Sequence, residues 1–94
     1  MTDLALRPLG YEQITSLSAA TALTIPVGTI MCIVTPQTQA VRWRDDGTNP
    51  TASIGYPLAV GSELTYNATG LTALKFIEQA ASAAINVCYY GDNT

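Results

Sequence analysis

Two adjacent carboxylates (Asp45, Asp46), two cysteines (Cys32, Cys88) and a single lysine (Lys75) are the residues whose types could carry chemistry. Asp45-Asp46-Gly47-Thr48-Asn49 offers oxygen ligands to a hard cation, but a calcium loop needs further ligands at set spacings that this stretch lacks. Asp-Asp-Gly reads first as a turn, because glycine permits the positive φ that tight turns need. Lys75 lies between Leu74 and Phe76 with no glycine-rich loop before it, which fits neither a P-loop nor a Schiff-base site. Glu12, Glu63 and Glu78 stand apart, whereas glycosidase chemistry needs two carboxylates facing each other across a cleft. The chain has no histidine. That removes the commonest general acid–base residue, the usual serine and cysteine triads and most zinc sites. The expectation is a protein that is not an enzyme, with no catalytic residue, no metal and no cofactor. Cys32 and Cys88 are too few for a disulfide scaffold and fall within apolar segments. They read as free, buried thiols acting as small hydrophobes, with a bridge between their strands as the alternative.

The bulk of the sequence points the same way. The chain has 94 residues, room for one domain and one core. Hydrophobic residues make up 48% but charged residues only 12%, against about 25% in an ordinary soluble domain. Ala, Thr, Ser, Asn and Gln take the place of charge. A surface poor in charge is cheap to desolvate, and protein interfaces are depleted in charge at their centres. Arg7, Arg42, Arg44 and Lys75 face seven acidic residues for a net charge of −3. Asp45 and Asp46 follow Arg42 and Arg44 at once, so no basic patch suited to nucleic acid can form. No run approaches the roughly 20 apolar residues that cross a bilayer. Residues 1–10 lack the basic start and apolar run of a signal peptide. Neither nucleic acid nor membrane is an expected partner, and synthesis in the cytoplasm is expected.

The elements that must position these residues are strands. Apolar residues recur with a period near two, Thr and Val are plentiful, and turn residues return at short intervals. The pattern predicts an arm over residues 1–10 and a single β domain over residues 11–94. Within the domain, strands are expected at 11–17, 22–25, 29–35, 38–44, 63–67, 71–78 and 84–90, with a short one possible at 52–54. The continuous stretch Ile30-Met31-Cys32-Ile33-Val34 predicts a strand buried on both faces, ended by a turn at Pro36-Gln37. Val41 and Trp43 should share the core face of their strand, with Arg42 and Arg44 on the other. An Ala-rich turn precedes the closing strand. The expected fold is all-β: a small antiparallel β-sandwich or barrel, jelly-roll-like, of about seven or eight short strands.

The aromatic residues suggest a second kind of function. Trp43, Tyr56, Tyr66, Tyr89 and Tyr90 are enough for a sugar-stacking platform, which would make the chain a carbohydrate- or receptor-binding module. Tyr89 and Tyr90 must point to opposite faces, however, and Trp43 shares its face with Val41, so the platform is the lesser expectation.

The stretch from Val41-Arg42-Trp43-Arg44-Asp45-Asp46-Gly47 through Asn49-Pro50-Thr51-Ala52 to Gly55-Tyr56-Pro57-Leu58 carries a resemblance. So do Leu71-Thr72-Ala73-Leu74-Lys75-Phe76-Ile77-Glu78 and Ile85-Asn86-Val87-Cys88-Tyr89-Tyr90. Over residues 11–90 the chain resembles small virion structural proteins of tailed bacteriophages, of the capsid decoration or cement type. The resemblance implies a component of the virion, on the capsid or as a small neck or tail protein. The implied partners are the major capsid protein or other virion subunits, together with further copies of the same chain. The candidate contacts are Arg7 in the arm and Arg42, Arg44, Asp45, Asp46, Asn49 and Tyr56 in and beside the loop 45–57. The two arginines are expected to pair either with Asp45 and Asp46 or with acidic groups on a neighbouring subunit.

Overall fold

Eight strands account for half of the described residues in the computed structural model, which describes residues 5–67 and 70–92. They are β1 (Leu6–Ile14), β2 (Thr21–Ala22), β3 (Thr29–Gln37), β4 (Val41–Arg44), β5 (Tyr56–Leu58), β6 (Leu64–Tyr66), β7 (Lys75–Glu78) and β8 (Ala84–Asp92). A single 3₁₀ turn, Leu71–Ala73, is the one helical element among the described residues. All pairings are antiparallel, and they build two four-stranded sheets in the orders β1-β8-β3-β6 and β2-β7-β4-β5. Within each sheet the first strand pairs with the last and the third with the sixth, or the second with the seventh and the fourth with the fifth. That nesting is a long antiparallel ribbon rolled into two sheets, the jelly roll expected from the strand pattern.

The two sheets pack on each other through one cluster. Cys32, Val34, Val87 and Tyr89 come from the first sheet and Val41, Leu58 and Phe76 from the second, with Leu17, Leu71, Leu74, Ala83 and Ile85 closing the ends. Leu71 and Leu74 both reach this core because a 3₁₀ turn eclipses positions three apart. The strand expected over 71–78 therefore starts only at Lys75.

Several boundaries differ from the pattern for identifiable reasons. The arm expected over 1–10 is in part a strand: from Leu6 onward the chain pairs with β8. No alternation announces it, because β1 is an edge strand exposed over most of its length. It carries an irregularity between Pro8 and Gly10, where Leu9 is the extra residue. Proline is tolerated at such an edge bulge. Residues 1–4, and part of the turn expected after Asn67, lie outside the described residues. β3 runs on through Pro36-Gln37, and the chain turns at Thr38, whose φ is +73°. Pro36 sits inside a central strand without harm. Its carbonyl accepts from the Gly61 amide at 3.1 Å, so its missing N–H faces that side and not the ladder to β8. The short strand expected at 52–54 is replaced by a turn in which the Thr51 hydroxyl accepts from the Ser53 and Ile54 amides at 3.3 and 2.9 Å. This local acceptor competes with strand pairing, and the strand forms instead at Tyr56–Leu58.

Candidate functional site

The chief departure concerns β3. Its apolar run is buried on one side only: Cys32 and Val34 are in the core, while Met31 and Ile33 are half-exposed on the outside. Partners across antiparallel strands share a face. The register therefore lays out the outer surface of the first sheet in rows: Pro8–Tyr90–Met31, Tyr11–Cys88–Ile33–Thr65, Gln13–Asn86–Thr35 and Ala84–Gln37. None of these residues is charged, and the next row on the same face, Leu6–Asp92, bounds the surface with an exposed carboxylate. The apolar rows grade into an amide cluster, in which Asn86 Nδ2 donates to Gln37 Oε1 at 2.9 Å. Tyr11 Oη and Gln13 Nε2 donate to Asn86 Oδ1 at 2.5 and 3.3 Å. Tyr11 remains 60% exposed.

The outer surface of the other sheet is its opposite in charge. Its rows are Arg42 with Pro57 and Ile77, and Arg44 with Lys75 and Ala22, so three of the four cationic side chains lie there. Arg44 and Lys75 are direct cross-strand neighbours, a like-charge pairing that is unfavourable by itself. Asp46 offsets it by taking both Nε and Nη2 of Arg44, at 3.0 and 2.5 Å. The hydrogen bond from Arg44 holds the Asp46 carboxyl well below the usual range, down to about 2. Arg42 meets no carboxylate among the described residues. It donates to the carbonyls of Ala52 at 3.2 Å and Gly55 at 2.8 Å, pinning the loop that follows β4. Of the two kinds of pairing expected for the arginines, the one within the chain is made by Arg44 with Asp46 alone among the described residues.

Asp45 is used differently. It accepts the Tyr66 hydroxyl at 2.6 Å, a bond that pushes the Tyr66 phenol up to about 12 with some help from burial. Trp43 is the hub of this corner. Its ring centroid lies 5.3 Å from that of Tyr56, with planes inclined at 36°, and 6.1 Å from that of Tyr66 in an edge-to-face arrangement. It is only partly buried against the core, whereas Val41 beside it is fully buried. Its indole N–H is buried with no hydrogen-bond acceptor among the described residues. Trp43, Arg44, Asp45, Asp46, Ile54, Gly55, Tyr56 and Pro57 line an open cleft of about 420 Å³. Four of the expected contact residues, Arg44, Asp45, Asp46 and Tyr56, are therefore brought together, while Arg42 stands beside the cleft holding Gly55 and Asn49 is exposed on the same loop. Arg7 is not among them. It is exposed on β1, with Nε donating to the Asp92 carbonyl at 3.2 Å.

Glu12, which the sequence offered only as an isolated acid, accepts the hydroxyl of buried Tyr89 and the Thr24 amide, the latter at 2.9 Å. Burial first, and the bond to Glu12 second, raise the Tyr89 phenol far above its ordinary range. Both cysteines are free. They lie on neighbouring strands, but Cys32 points into the core and Cys88 to the outer surface, which rules out the alternative of a bridge. Burial pushes the Cys32 thiol up to about 11. No group of His, Cys, Asp or Glu able to hold a metal occurs among the described residues. Among family models, curated proteins and solved structures, none matches this chain.

Proposed function

We propose that this chain is a non-enzymatic virion structural protein, a capsid decoration or cement subunit that binds neighbouring capsid proteins through the outer surface of the β1-β8-β3-β6 sheet. The observation that carries the reading is the uncovered side of β3. Its sequence is that of a strand buried on both faces, yet on the outer side Met31 and Ile33 are only partly covered by this chain's own elements. A surface without charge loses little on desolvation, and its tyrosines and methionine are residue types enriched in interfaces. Strand addition is a poor alternative. The edges are β1, which carries Pro8 and a bulge, and β6, β2 and β5, of three, two and three residues. Short and bulged edges resist pairing with another chain. Stabilisation arises by linkage: a subunit that binds only the assembled shell shifts the equilibrium against disassembly.

The test is co-sedimentation with phage particles stripped of the protein, after light scattering has given its oligomeric state. Rebinding at a fixed stoichiometry, lost in Ile33→Lys while the circular dichroism spectrum is kept, is the expected result. A stoichiometry of a few copies per particle would move the protein to the neck or tail. Undiminished binding by Ile33→Lys and by Tyr11→Ala would remove this surface from the interface.

A further inference from the structure

We propose that the cleft beside Trp43 is a binding site for a neutral saccharide, with a pyranose ring stacked on the exposed Tyr56 ring that Trp43 backs and its hydroxyls bonded by Asp45. This inference is independent of the docking surface, which lies on the outside of the other sheet.

Three features carry it. The volume, about 420 Å³, falls within the range of small-molecule sites. Tyr56 is 66% exposed although its ring lies against Trp43, so the pair presents aromatic surface to the cleft instead of closing over the core. Trp43 itself leaves a buried N–H without an acceptor, a defect that an indole placed only for packing normally avoids.

The polar groups then select the ligand. Arg44 is neutralised by Asp46, whereas Asp45 keeps one oxygen, Oδ1, without a hydrogen bond from any described residue. The cleft is thus mildly acidic and disfavours phosphates and carboxylates. A quaternary ammonium group needs rings converging on it from several sides. Here the two rings of the cleft are only 5.3 Å apart, too close to admit a group between them, and Tyr66 does not line it. They are stacked on each other and offer the exposed Tyr56 ring as a single platform, not a cage. A pyranose suits a platform: its C–H face meets the negative face of the rings, and its outward hydroxyls donate to a carboxylate.

The chain has one tryptophan, and it sits in the cleft, so its fluorescence reports occupancy directly. A panel of methyl pyranosides and their oligomers is titrated into the intact protein, with choline and inorganic phosphate as comparisons. A saturable change with at least one saccharide is expected, weakened about tenfold or more in Tyr56→Ala and in Asp45→Asn. Tyr56 is exposed, and a melting curve establishes that each variant is folded. If no saccharide produces a saturable change at millimolar concentrations, the proposal is wrong. It is equally wrong if choline or phosphate binds instead, or if both folded variants bind the saccharide as tightly as the parent.

Discussion

Glu12 joins three segments: β1, which carries it and pairs there with β8, β8 a second time through the Tyr89 hydroxyl, and the β2–β3 connection through the Thr24 amide. Tyr89 is 1% exposed, and its ring belongs to the core. Glu12→Ala leaves that hydroxyl with no acceptor and no access to water. An orphaned buried donor costs about 1–3 kcal/mol. Near 2 kcal/mol, a domain of this size melts about 8–16 °C lower. Tyr89→Phe removes the donor instead and leaves Glu12, only partly buried, bonded to Thr24, so a smaller loss of about 0.5–1.5 kcal/mol is expected. The informative variant is the double one. With the hydroxyl gone, removing Glu12 no longer strands anything, so Glu12→Ala/Tyr89→Phe should be more stable than Glu12→Ala alone. Thermal and urea unfolding of the four proteins at pH 7, combined as a double-mutant cycle, measures the coupling. If the double variant is no more stable than Glu12→Ala, the hydroxyl is not the stranded group and the reasoning fails.

Two further outcomes follow from the loop after β4. Because the folded Asp46 carboxyl titrates near 2, below its unfolded value of about 3.9, the Arg44–Asp46 pair contributes fully above pH 4 and is lost as pH falls through about 2. A carbon-detected titration should place the Asp46 midpoint there and Arg44→Gln should raise it. An unchanged midpoint in that variant would mean that Arg44 is not its cause. Gly55 has φ of +145°, and a Cβ on it would lie 3.1 Å from the Cβ atoms of both Arg42 and Pro50. Gly55→Ala should therefore cost about 1–3 kcal/mol, read as a lower melting temperature. An unchanged melting temperature would show that the loop relaxes freely.

Much of the fold is legible from alternation: Val41 is expected on the core face and is fully buried, and the alternating Ile85, Val87 and Tyr89 of the closing strand share one buried side. What alternation could not reveal was β1, because an edge strand exposed on both sides has no two-sided contrast to display. The site was less legible for a related reason. A run such as Ile30–Val34 records only that apolar side chains face both ways, not whether this chain or another covers the second side. Likewise the sequence shows that Trp43 and Val41 share a face, but Val41 lies in the middle of the sandwich and Trp43 at its open corner. The partners that make the corner, Tyr56 on β5 and Tyr66 on β6, meet Trp43 only through the rolling of the ribbon. Glu12 and Tyr89 stand 77 positions apart, which no local spacing could connect.

The two outer surfaces of the sandwich differ in a way that bears on how a partner would approach. One carries Arg42, Arg44 and Lys75; the other has no charge in any row from Pro8–Tyr90–Met31 to Ala84–Gln37. Charged side chains are costly to bury unless each meets a counter-charge in good geometry. Two of the three cations are in addition held in place, Arg44 by Asp46 and Arg42 by the carbonyls of the loop. Moving them to serve a partner would release that loop and with it the floor of the Trp43 cleft. The uncharged surface demands no such rearrangement, since its amides of Gln13, Gln37 and Asn86 are bonded to one another and hold no charge in place. Docking by that surface would leave the charged sheet and the cleft facing outward. A subunit bound in this way would cover its partner with one side and expose a hydrated, ligand-accessible side to the solvent.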